Sequence, residues 1–122
     1  LADECYFRMF RGCTSLTQAP QLPATTLADL CYYSMFEGCT SLTQAPELPA
    51  TTLAYYCYSS MFSGCRKLNY VKALFTTKPS STYTGDWLSG VSPTGTFVKN
   101  KDATWSVTGS VGIPKGWTVI TE

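Results

Sequence analysis

A 26-residue pattern recurs in register through the first half of this chain, and it limits the possible folds more than any other feature. Leu1, Leu27 and Leu53 open three units; Cys5, Cys31 and Cys57 follow at one offset, Met9, Met35 and Met61 at the next, and Cys13, Cys39 and Cys65 after them. Residues 1–26 and 27–52 are near-copies, and the third unit loses the pattern after Leu68. A period of this length signals a solenoid, in which each unit buries its apolar face against its neighbours alone.

Comparing the three copies sorts positions without any outside reference. Positions 1, 2, 5, 6, 9, 10, 12 and 13 are identical in all three, as Leu, Ala, Cys, Tyr, Met, Phe, Gly and Cys. Positions 3, 4, 7, 8 and 11 vary. At about 100° per residue the fixed positions occupy roughly half of a helical wheel, which predicts an amphipathic helix from about Leu27 to Phe36. Leu27, Cys31, Tyr32, Met35 and Phe36 would then face inward. Thr26 and Asp29 form a weak capping box, with Thr52 capping alone in the third unit, and Gly38 stands where a left-handed residue closes a last turn. Beyond it, Cys39 to Pro46 reads as a turn into a short strand. Pro46 and Pro49 lack amide donors and favour extended, polyproline-like backbone.

Phe36-Glu-Gly-Cys-Thr-Ser-Leu42 followed by Thr43-Gln-Ala-Pro46 resembles the BspA-type leucine-rich repeats of bacterial surface proteins, over residues 1–68. The resemblance implies an α/β solenoid, a leucine-rich-repeat-like right-handed stack of helix, turn and short parallel strand per unit, closed by a small mainly-β C-terminal cap. The common unit of that family is about 23 residues with a shorter helical segment, and its Ile/Val strand is replaced by Thr-Gln-Ala-Pro in this chain. The expected organisation is repeats over 1–75 (units 1–26, 27–52 and 53–75) and a capping segment over 76–122. No polar cap precedes Leu1, so the chain reads as the C-terminal piece of a longer array whose targeting signal lies upstream.

All six cysteines fall in the repeats as C-x7-C pairs. A zinc site or a catalytic thiol has little support, because the chain has no His and no close C-x2-C pair. Two readings stay open: buried free thiols, or the disulfides Cys5–Cys13, Cys31–Cys39 and Cys57–Cys65 stapling each helix to its turn.

After Leu68 the spacing predicts a strand starting at Tyr70 or Val71, a loop over 76–82, a helical turn over Asp86–Gly90, and strands over Gly95–Lys99 and Gly116–Ile120. Trp87, Trp105 and Trp117 read as the core of the cap, with an exposed sugar platform as the alternative. Gly95-Thr-Phe-Val-Lys99, Trp105 and Gly112-Ile-Pro-Lys-Gly-Trp-Thr-Val119 are similar to segments that follow such repeats in proteins of gut Bacteroides and their phages.

The net charge of +1 argues against nucleic acid or an anionic membrane as the main partner, although the charge divides as −3 over residues 1–65 and +4 over 66–122. No phosphate-cradling loop or clustered carboxylates suggest an enzyme, and no cofactor or metal is implied. The expected role is a non-enzymatic extracellular or cell-surface interaction module for a protein or glycan ligand on a host or neighbouring cell. Alternatives are an architectural spacer or cap on a surface protein or phage tail fibre, and an accessory domain of a secreted enzyme. Contact residues are expected at the varying, outward positions: Asp29, Leu30, Tyr33, Ser34 and Glu37, then Tyr55, Tyr56, Ser59, Ser60 and Ser63. Tyr33, Tyr55 and Tyr56 form the leading cluster.

Overall fold

The segment expected to be helical in each unit is a ladder of overlapping turns in the computed structural model, which describes residues 1–122. Two interleaved sets of hydrogen bonds build it. Amides at odd positions bond back three residues within the unit, as in Cys31 to Ala28 O, Tyr33 to Leu30 O, Met35 to Tyr32 O, Glu37 to Ser34 O and Cys39 to Phe36 O, at 3.0–3.3 Å. Amides at even positions cross to the next unit: Leu30 to Tyr55 O, Tyr32 to Cys57 O, Ser34 to Ser59 O, Phe36 to Met61 O and Gly38 to Ser63 O, at 2.8–3.1 Å. Unit one donates to unit two in the same way, from Glu4 to Asp29 O through Gly12 to Glu37 O. Between them the two sets give each backbone donor of a unit's ladder a partner, as buried backbone requires.

The geometry repeats every four residues. Left-handed φ values fall at Glu4, Arg8 and Gly12, at Leu30, Ser34 and Gly38, and at Tyr56, Ser60 and Gly64. This overturns the α/β, leucine-rich-repeat-like stack of helices: the one helix is a single turn, α1 (Ser81–Thr84). Spacing explains the preference. Packed helices stand about 8–10 Å apart, whereas neighbouring strands stand about 4.8 Å apart. Aromatic columns through these units step by 5.6 and 6.2 Å (Tyr6, Tyr32, Tyr58) and by 5.6 and 5.5 Å (Phe10, Phe36, Phe62). A flat ladder of turns keeps pace with an extended side at that step, and a row of helices does not. The expected caps do not form either. Asp29 Oδ1 accepts the Tyr55 amide, and Asp3 Oδ1 accepts the Asp29 amide, both 3.2 Å away in the adjacent unit.

The short parallel strand expected in each unit does not form in units one and two, because their prolines leave the extended side short of donors. No backbone hydrogen bond joins residues 17–26 to 43–52, where Pro20, Pro23, Pro46 and Pro49 supply no donors. Pairing begins when the prolines are lost, with Asn69 donating to Thr43 O, Ala45 to Tyr70 O and Leu48 to Lys72 O. From there a parallel sheet forms in the order β1 (Tyr70–Ala73), β2 (Thr96–Lys99), β3 (Thr118–Thr121). These strands lie within two residues of the expected positions. Tyr70 pairs with Thr96 and Thr96 with Thr118.

The turn ladder runs past residue 75 without a break. Phe62 donates to Trp87 O and Gly64 to Ser89 O, so residues near 79–91 form a fourth rung that the sequence pattern hides. The helical turn expected over Asp86–Gly90 is displaced: Asp86 has φ +52°, and α1 precedes it, capped by Ser80 Oγ accepting the Thr82 amide. The core runs the length of the stack between the two sides and takes in Cys31, Tyr32, Met35, Phe36 and Leu42 with their counterparts in unit three. Trp87, Trp105 and Trp117 close it as buried residues, each indole N–H donating to a backbone carbonyl (Gly112, Phe75 and Ser92). No helix is long and apolar enough to cross a membrane.

Candidate functional site

The outward face of the turn ladder carries the residues expected to make contacts, and the structure divides them into two patches. Tyr33 stacks on Phe7 of unit one, with centroids 5.1 Å apart and planes 11° from parallel. The Arg8 guanidinium lies 4.8 Å from the Phe7 centroid and 5.9 Å from that of Tyr33, a cation–π arrangement. Beside it Glu37 pairs with Arg11 at 3.6 Å. The second patch is Tyr55, 57% exposed and stacked 6.1 Å from Tyr83, together with Tyr56, 46% exposed. The leading cluster is therefore split: Tyr33 belongs with Phe7 and Arg8, while Tyr55 belongs with Tyr83.

Two further expectations are corrected. Ser34 (1% exposed) and Ser59 (5%) are buried, since a left-handed turn residue and its neighbour across the ladder point differently from their places on a helical wheel. Asp29 and Glu37 are on the surface side but already engaged, one with the Tyr55 amide and the other with Arg11. Leu30, Ser60 and Ser63 are half-buried, and Tyr56 is the left-handed residue at its place in the ladder.

The structure holds all six cysteines as thiols, so the pairings Cys5–Cys13, Cys31–Cys39 and Cys57–Cys65 are not formed. Two four-residue steps of the ladder separate the members of each pair. The later thiol turns to its neighbour instead: Cys39 Sγ donates to Phe10 O at 3.1 Å and Cys65 Sγ to Phe36 O at 3.0 Å. Burial pushes the Cys31 thiol up to about 11 and those of Cys57 and Cys65 up to about 12. Burial also raises the Cys39 thiol and the Tyr32 and Tyr58 phenols. At neutral pH these thiols are protonated core groups, and the thiolate that a nucleophile requires is absent. No three of Cys, Asp and Glu converge with metal-ligand geometry.

A feature missed from the sequence lies on the extended side. Where units one and two lack backbone pairing, two shallow grooves open. One is lined by Pro20, Leu22, Pro23, Pro46, Glu47 and Pro49, and the other by Thr17, Gln18, Thr43 and Gln44 among others. The missing proline amides were the available signal. Both grooves are wide open to solvent and hold no cluster of ionisable groups.

Comparison with protein-family models, curated proteins and solved structures gives no match to this chain.

Proposed function

We propose that this chain is a non-enzymatic interaction module that presents a rigid repeat surface to a protein or glycan ligand, in the manner of an adhesin on a bacterial surface. The observation that carries the reading is the exposed pair Tyr55 and Tyr56, with Tyr83 stacked behind Tyr55. Tyrosines fixed on a hydrogen-bonded ladder offer contact area at little further entropic cost, and an aromatic face beside hydroxyls suits both sugars and peptides. Buried, protonated thiols and carboxylates engaged between units fit a scaffold better than a reaction centre. The resemblance to BspA-type repeats supports an extracellular setting.

A glycan array and a pull-down against host matrix proteins test the reading. Tyr55→Ser combined with Tyr56→Ser is expected to weaken any ligand found by at least tenfold, with a cooperative urea transition retained and its midpoint lowered only by loss of the Tyr55–Tyr83 stack. Binding that survives both substitutions undiminished would place the site elsewhere. The absence of ligand in every arm would leave a spacer or cap on a surface protein or tail fibre.

A further inference from the structure

The outer face of the ladder carries two aromatic columns, and the chain supplies a cation to only one of them. At position 7 of the unit Phe7 lies on Tyr33, with the Arg8 guanidinium against both rings. At position 3 the column runs Asp3, Asp29, Tyr55, and each amide donates to the carboxylate one unit earlier: Asp29 to Asp3 Oδ1 and Tyr55 to Asp29 Oδ1, both at 3.2 Å. Tyr83 covers one face of Tyr55, with planes 5° from parallel. The other face looks back along the stack toward unit two, where the short Asp29 side chain stands at the aligned position. That leaves a step, an open tyrosine face with a carboxylate at its foot. Asp29 Oδ2 accepts no hydrogen bond, and neither oxygen is paired with a cation. Lys78, next to the Thr77 hydroxyl that holds the Leu53 amide, meets neither the carboxylate nor the rings. Beside the step a hollow of about 210 Å³ opens between units, lined by Thr26, Leu27, Thr52 and Leu53 among others. The chain passes from its walls through Ala28 to Asp29 and through Ala54 to Tyr55.

We infer that this step binds a guanidinium group, carried by an arginine side chain of a basic polypeptide that docks on the ladder. The inference rests on the interaction-module reading above and names the chemistry of the partner. The face of an aromatic ring attracts a cation, and the planar guanidinium stacks on a ring while its N–H groups reach a carboxylate at the ring's edge. Tyr55 supplies the face and Asp29 Oδ2 the acceptor. The hollow between Leu27 and Leu53 receives the aliphatic stem, which arginine lays along apolar surface. Charge agrees, since residues 1–65 carry a net −3. A neutral sugar stacks on the same ring but leaves the carboxylate's charge unanswered. Arg8 against Phe7 and Tyr33 is the same pairing made within the chain.

The test titrates the full chain with a blocked Gly-Arg-Gly peptide and with its citrulline analogue, the neutral isostere, and reads binding from the NMR shifts of the Tyr55 ring and the Asp29 amide. The arginine peptide is expected to give saturable shifts at both, with the citrulline peptide roughly fivefold weaker. Asp29→Asn is expected to weaken the arginine peptide by a similar factor at an unchanged urea midpoint, because the asparagine Oδ1 still accepts the Tyr55 amide. Equal affinity for the two peptides, or full affinity in Asp29→Asn, would overturn the inference. Tighter binding of maltotriose at the same ring would overturn it as well. The ligand screen separates this from the reading it rests on. A ligand lost in the Tyr55→Ser, Tyr56→Ser protein but fully retained by Asp29→Asn overturns the guanidinium site and leaves the interaction module standing. Arginine-peptide binding that depends on Asp29, with no ligand in any arm of the screen, upholds the site and removes the adhesin-like role alone.

Discussion

Replacing the stacked glycines separates backbone strain from steric crowding. Gly38 and Gly64 have φ of +75° and +77°. A Cβ at Gly38 meets Gly12 Cα at 3.7 Å, and a Cβ at Gly64 meets Gly38 Cα and N at 3.7 Å, both ordinary van der Waals contact. Alanine therefore fits in space, and its cost is the left-handed conformation, about 1–2 kcal/mol for a non-glycine residue. Restricting the unfolded chain returns about 0.4–1 kcal/mol. The expected net loss is about 1 kcal/mol at each site. Asparagine tolerates the left-handed region, and both positions are half-exposed, so its amide has solvent to turn into. Gly64→Asn should cost less than Gly64→Ala despite its larger size. Gly64→Val should cost more than either, because a β-branched residue is an outlier at positive φ and its methyl groups press on Gly38 of the preceding unit. The assay is the urea midpoint at constant m-value for the three variants. If asparagine proves clearly worse than alanine, crowding dominates and the strain argument is wrong.

Three further outcomes follow from the core. Above the ordinary thiol range of about 8.5 the unfolded chain releases protons that native Cys31, Cys57 and Cys65 retain up to about 11 or 12, so the unfolded state binds fewer protons and stability falls as pH rises through that window. Each thiol contributes a slope of about 1.4 kcal/mol per pH unit, and a urea midpoint that holds steady from pH 8 to 10.5 would contradict the buried, protonated assignment. Thiol counting at pH 7 without reductant should find Cys5 and Cys13 fast and the remaining four slow, rising to six on addition of denaturant; no gain in denaturant would mean oxidised pairs. Trp87→Ala should cost about 3–5 kcal/mol, because it empties the space beside Tyr58, Phe75 and Phe97 and orphans the Gly112 carbonyl; a loss under about 1 kcal/mol in the unfolding curve would show that the end of the stack is not cooperative with the core.

Much of the scaffold was legible residue by residue. The 26-residue register placed Cys31 over Cys57 and Phe36 over Phe62, and the apolar positions of each unit named the core. Alternation in the tail located β1, β2 and β3, whereas the short parallel strand expected in every unit is missing from units one and two, where the prolines were the overlooked signal. The candidate site was less legible, because it inherited the helical wheel. Tyr33 and Tyr55 belong to one side of a helix but to different columns of a ladder, and Ser34 turned out to be interior.

The sequence by itself determined that identical units stack and which side chains they hide. It even held the correct period: apolar pairs at positions 1 and 2, 5 and 6, 9 and 10 repeat every four residues, whereas an α-helix drifts about 40° over each such step. What the tertiary structure decided was the destination of every second amide. Within one unit that donor reaches a carbonyl of its own segment by forming a helix. It can also stay free for a neighbour, and nothing local separates the two choices. With another unit stacked one strand-spacing away, the neighbour's carbonyls are near enough to take those donors. The turn ladder then satisfies all the amides that a short helix would leave unpaired at its ends.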